Sequence, residues 1–141
     1  MNLNRKGFTL IELLAVVVIL GIMSLIAVPN VISTIDNGKK DTMLSDARKL
    51  ISQAKYQVNT NRSIRDSKNY TFSFGDLNKS GDIKLDPDGG AYTGTVKYVV
   101  DVNGVSTYCV YLEGSKRKIG TNSSNCVYEE ALYDRSKVVD K

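Results

Sequence analysis

Between Phe8 and Val28 the chain carries a single charged side chain, Glu12, in a run otherwise dominated by Leu, Ile, Val and Ala. A helix of that length, rising 1.5 Å per residue, extends roughly 31 Å and matches the hydrocarbon core of a bilayer. A carboxylate at membrane depth costs on the order of 2.5 to 3.5 kcal/mol by insertion scales, so Glu12 calls for a partner and a functional reason. Arg5 and Lys6 precede the run with no acidic residue before it. The positive-inside rule therefore places the N-terminus in the cytoplasm and everything after Pro29 outside.

With 141 residues, much of the hydrophobic content is spent in the first thirty positions, leaving room for one small head domain. The net charge of +4 falls to about +2 without Arg5 and Lys6, a balance that points neither toward nor away from nucleic acid. The chain contains no histidine, which removes the usual general base and the commonest metal ligand. No paired Ser or Cys motif supplies a nucleophile and base, so an enzyme is not expected. Cys109 and Cys126 both fall in the expected outside portion, where an even count is compatible with a disulfide; two small buried thiols are the alternative. A bridge would close a loop of about 18 residues and contribute about 3 kcal/mol by the chain-entropy relation.

An ordinary secretory signal places a small-residue cleavage site after its apolar core. Here Gly7 stands before the core, between the basic residues and the run Phe8-Thr9-Leu10-Ile11-Glu12-Leu13-Leu14. This order of parts resembles the prepilin signal of the type IV pilin family, which includes the pseudopilins of type II secretion and competence systems. The resemblance implies that a prepilin peptidase cuts between Gly7 and Phe8, removing residues 1–7, and that the new amine of Phe8 is N-methylated. Phe8 and Glu12 are spaced i, i+4 and share a helix face, so amine and carboxylate can neutralise each other within a subunit or between neighbours. By the same resemblance, Glu12 sets the register of an incoming subunit during assembly.

Residues 8–29 are thus expected to form a transmembrane and filament-core helix, weakened at Gly21 by low helix propensity and at Pro29 by a missing N–H. The family pattern implies that Gly21 to Pro29 is helical or kinked in a subunit and melted in a filament. Over residues 30–62 an amphipathic pattern follows, with Ile32, Ile35, Met43, Ala47, Leu50, Ile51, Ala54 and Val58 near helical spacing and Asp46 among the polar positions. Asp36-Asn37-Gly38 is a turn signal that competes with continuity of this helix. Residues 63–141 read as an extracytoplasmic, β-rich head. Tyr70 to Phe74 suits a short strand, and Thr95–Val102 and Val105–Leu112 flank Asn103-Gly104, a pair suited to a two-residue type I′ turn. That turn pairs Val102 with Val105, Val100 with Thr107, Tyr98 with Cys109 and Val96 with Tyr111, and points Cys109 toward the core. The fold class is α+β, a long N-terminal helix packed on a small antiparallel sheet in the manner of type IV pilins.

Two head segments are candidate sites. Asp76, Asn78 and Asp82 have the alternate oxygen spacing of a calcium loop, but Pro87 stands where the bidentate acid of an EF-hand belongs. A polar turn competes with calcium at this segment. Lys116, Arg117 and Lys118 form a compact basic patch for DNA phosphate or wall polymers, or else a solvated loop. No cofactor is expected. The resemblance implies a structural pilin whose partners are other copies of itself, the prepilin peptidase, an inner assembly-platform membrane protein with ATPase-driven machinery, and the membrane before assembly. Its location is then the cell membrane as a single-pass subunit, and afterwards an extracellular filament. A pseudopilin of secretion or DNA uptake, and a membrane-anchored binding module whose head recognises DNA or a surface ligand, are the alternatives.

Overall fold

The computed structural model describes residues 7–141. Its elements are helix α1 (Leu10–Thr60), α2 (Arg62–Ser67), β1 (Asn69–Ser73), α3 (Phe74–Leu77), β2 (Thr93–Val100), β3 (Ser106–Glu113), β4 (Arg117–Ile119), β5 (Val127–Tyr128) and β6 (Val138–Asp140). The chain divides into two compact units, one ending at Asp36 and the other running from Asn37 to Lys141.

In the first unit α1 is helical through both Gly21 and Pro29, and every residue from Gly7 to Ile35 is exposed. Helix assignment also continues through Asp36-Asn37-Gly38, so propagation along α1 overrides the local turn preference.

The second unit is built on an antiparallel sheet of order β1-β2-β3-β4-β6, with β5 paired to β3. The sheet's core residues Phe72, Val96, Tyr98, Val110, Leu112, Ile119 and Val138 cluster with Met43, Leu44, Ala47, Leu50, Ile51, Ala54 and Val58 of α1. The buried helix positions recur at spacings of three and four, as a stripe facing one surface must. Ile32 and Ile35 of the expected stripe remain exposed, at 63% and 54%, while Leu44 joins it. Asp46, expected at a polar position, is buried with its carboxylate accepting from the Tyr92 hydroxyl at 3.1 Å. Tyr92, 46 positions away, and Lys49, whose Nζ lies 3.3 Å from the other carboxylate oxygen, together compensate the burial of this charge.

The β2–β3 hairpin departs from the expected register by one residue. Val100 pairs with Ser106, Tyr98 with Tyr108 and Val96 with Val110. Asp101 causes the shift. Its N–H donates to the Val105 carbonyl at 3.0 Å, its carbonyl accepts from Gly104 N–H at 3.0 Å, and its carboxylate accepts the N–H groups of Asn103 and Val105, each at 2.8 Å. The loop is therefore the three residues Val102-Asn103-Gly104. Only Gly104 of these has positive φ, at 81°, whereas a type I′ turn would also need it at Asn103. A one-residue shift reverses the face of every side chain on β3. Tyr108, Val110 and Leu112 consequently face the core, Cys109 lies opposite Lys97 on the other face, and Val102 is fully exposed. Cys109 is nonetheless buried, and a disulfide joins it to Cys126 with 5.5 Å between the Cα atoms.

Close strand approach leaves no room at Gly94, where an added Cβ would lie 2.2 Å from the backbone oxygen of Tyr111. Gly94→Ala is expected to destabilise the head by about 2 to 3 kcal/mol, as overpacking against backbone does. Val102→Ala at the exposed loop should stay within about 0.5 kcal/mol of the parent. Urea melts followed by tyrosine fluorescence check both; equal midpoints for the two variants would contradict the packing described.

Candidate functional site

The N-terminal end of α1 is fixed by a capping box. Thr9 stands just before the first helical residue; its backbone N–H and its hydroxyl both donate to Glu12 Oε2 at 2.9 Å, and the Glu12 N–H donates weakly to Thr9 Oγ1 at 3.4 Å. Such reciprocal bonding satisfies two otherwise orphaned donors at a helix start. Thr-x-x-Glu is a readable sequence signature for it, and Thr9 is the residue that the charge-centred reading of the motif passed over.

The box has a consequence for the segment upstream. Gly7, Phe8 and Thr9 lie outside the helix, Phe8 is 83% exposed, and nothing approaches within 4 Å of the position of a Cβ on Gly7. Among the described residues, the Gly7–Phe8 peptide bond therefore lies in non-helical, exposed backbone. The Glu12 carboxylate is drawn back along the helix toward Thr9, next to Phe8. Both bonds from Thr9 fall on Oε2, so Oε1 remains able to accept from a cation. Arg5, Lys6 and the rest of the expected leader before Gly7 lie outside the described residues.

The head disperses the calcium candidates. Asp76 caps α3, accepting from the Ser73 hydroxyl at 2.6 Å and its N–H at 3.3 Å. Asn78 donates to the Ile83 carbonyl at 2.7 Å and accepts its N–H at 3.0 Å, while Asp82 accepts from the Ser80 hydroxyl at 2.5 Å. Each of these side chains bonds within its own turn rather than toward a shared centre. Among the described residues, no group of three or more His, Cys, Asp or Glu side chains is placed to hold a metal ion.

The basic patch is also divided. Strand alternation on β4 turns Arg117 inward to 9% exposure, leaving Lys116 exposed and Lys118 half-buried. The Arg117 guanidinium pairs with Asp88 and, at 3.5 Å, with Asp140. Asp88 also takes Lys39 of α1 at 2.8 Å, and its carboxyl is held below the usual range, first by the Lys39 bond and, against the opposing cost of burial, by Arg117. Beside it, Asp86 accepts the N–H groups of Asp88 and Gly90 at 2.8 Å each, together with that of Ser115. Burial pushes the Asp86 carboxyl up, but the Ser115, Gly90 and Asp88 donors more than reverse this and bring it down to about 2. This Asp-Pro-Asp-Gly-Gly loop is a polar knot tying α1, the β3–β4 turn and β4 together. Its composition signals a turn, but the partners that give it its role lie on three separate elements.

Residues 2–28 match the family model described as the prokaryotic N-terminal methylation motif. The chain thus carries the type IV pilin and pseudopilin signal, and its long apolar helix followed by a six-stranded antiparallel sheet has the pilin-like α+β layout. No curated protein and no solved structure matches the chain.

The knot makes a pH prediction. Because the Asp86 pKa is depressed on folding, its contribution is complete above the unfolded value of about 4 and is lost as pH falls through about 2. Stability should therefore decline by roughly 2 kcal/mol from this group across that window. Asp86→Asn presents an amide to backbone donors, so it should lower stability at pH 7 and flatten the acid slope. Denaturant melts between pH 7 and 2 check it, and an unchanged acid slope in the variant would contradict the assignment.

Proposed function

We propose that this chain is the structural subunit of a type IV pilus-like filament, processed after Gly7, N-methylated at Phe8 and polymerised through its N-terminal helix. One observation carries the reading. The sole charged side chain between Phe8 and Val28 lies within the matched methylation motif, and its carboxylate accepts from Thr9, the residue next to the one whose amine cleavage would create. Because α1 starts only at Leu10, Phe8 and Glu12 do not share a helix face as their i, i+4 spacing suggests; before cleavage residue 8 offers only an amide, and afterwards a cation adjacent to the Thr9 that caps the helix.

The energetics favour assembly as the step that uses this pair. In a lone subunit the carboxylate remains costly at membrane depth. In a polymer, a neighbour's Phe8 amine places a second cation against Oε1, and paired desolvated charges define a register that smooth aliphatic surface does not. The exposed face from Phe8 to Val28 supplies apolar area first to lipid and then to other copies. Before assembly the subunit resides in the membrane with its head outside; the inner-membrane platform, its ATPase-driven motor and the peptidase are its machinery. The chain itself catalyses no reaction in this scheme.

Glu12→Ala is the direct test. Membrane level and cleavage should remain within about twofold of the parent, while filament yield by sheared-surface immunoblot and electron microscopy falls at least tenfold. A tether would tolerate the change, so normal filaments or normal head function without filaments would overturn the reading.

A further inference from the structure

We propose that Val31–Gly38 is a second labile stretch of α1, distinct from Gly21–Pro29, and that the Lys39–Asp88 pair is the clamp that stops its unwinding at the head. The stretch reads Val-Ile-Ser-Thr-Ile-Asp-Asn-Gly. Every one of these residues is a poorer helix former than Ala, Leu, Lys or Glu, four are β-branched, and the last is glycine. Tertiary packing normally compensates for such a sequence. Here Val31, Ile32 and Ile35 are 55%, 63% and 54% exposed, so the core does not supply it.

Two local features weaken the stretch further. Two residues upstream, Pro29 has no N–H to donate to the Leu25 carbonyl, so the turn leading into the stretch already lacks a hydrogen bond. The Thr34 hydroxyl donates to the Asn30 carbonyl at 2.9 Å, a back-bonding arrangement that competes with the helical N–H and bends helices. The boundary between the two compact units falls at Asp36 and Asn37, inside this stretch.

Downstream the character of the helix changes at once. Lys39 Nζ lies 2.8 Å from Asp88 Oδ1, and the Asp88 side chain is only 3% exposed and fixed on its other side by Arg117. Met43 follows one turn later as the first fully buried residue of α1. Unwinding that began near Pro29 would cross the eight weak positions and then meet a buried ion pair backed by the core. Converting eight residues from 1.5 Å to about 3.3 Å of rise per residue lengthens the chain by roughly 14 Å. Used in this way, the stretch is an extensible link that yields under load while the head stays folded. That use rests on the filament reading, whereas the lability and the clamp belong to the subunit alone.

Hydrogen exchange on the full chain in phospholipid nanodiscs tests the subunit property without any polymer. Amides of 31–38 should exchange at least 100-fold faster than those of 43–58; rates within tenfold of each other would overturn the labile stretch. Lys39→Met keeps the Asp88–Arg117 pair and should carry fast exchange past residue 39, raising rates at 40–42 at least tenfold with β2 and β3 amides unchanged. Lys39→Arg should restore the boundary. A boundary that stays at residue 39 in Lys39→Met would overturn the clamp. Glu12→Ala should leave all these rates unaltered, so failure of polymerisation and failure of this proposal are read separately.

Discussion

One face of α1, from Met43 to Val58, is the surface on which the head is assembled. Strands β1, β2, β3, β4 and β6 each contribute a buried side chain to the cluster it completes. A sheet with one apolar face is not stable alone in water, so removing this helical stripe would leave Tyr98, Val110 and Leu112 without cover. The same helix upstream obeys the opposite rule. Its side chains are exposed as far as Ile35, and the near-continuous apolar character up to Val28 suits lipid or other helices as surroundings. A single helix thus carries two solvents' worth of sequence, with Gly38 and Lys39 near the change.

Polar links hold the less regular parts of the head around that stripe. Asp86 and Asp88 knot the strandless segment before β2 to α1, to the β3–β4 turn and to β4. Bidentate pairing of Arg135 with Asp41, at 2.6 and 2.7 Å, and the Lys55–Glu129 pair at 2.6 Å lay two C-terminal 3-10 turns, Glu129–Ala131 and Arg135–Lys137, against α1. Leu132, fully buried between them in sequence, provides the apolar contact that exposed ion pairs alone would not. The knot differs from these surface pairs because Asp88 and Arg117 are desolvated, so losing either partner strands a charge.

How much of this was legible in the sequence follows from the range of each interaction. The apolar span, the amphipathic continuation of α1 and the central hairpin are local patterns, and the α+β class could be read from them. Hairpin register could not, because Asn-Gly serves both two- and three-residue loops and the choice rests on capture of two N–H groups by Asp101. That one-residue difference moved Cys109 to the far face of the sheet. The basic triplet could be read only as a run of charge: β4 starts at Arg117 and turns that side chain inward, while Lys116 stays exposed before the strand and Lys118 is half-buried. Burial of Asp46 was invisible because Tyr92 is remote in sequence, whereas the Thr9–Glu12 box was present in plain spacing and needed only the capping rule.

The central claim is that Glu12 awaits an amine that processing creates on Phe8. The most direct measurement is the intact mass and N-terminal sequence of the mature protein isolated from its native cells. The account predicts a chain beginning at N-methylated Phe8, with residues 1–7 absent; a mature chain beginning at Met1 would contradict it.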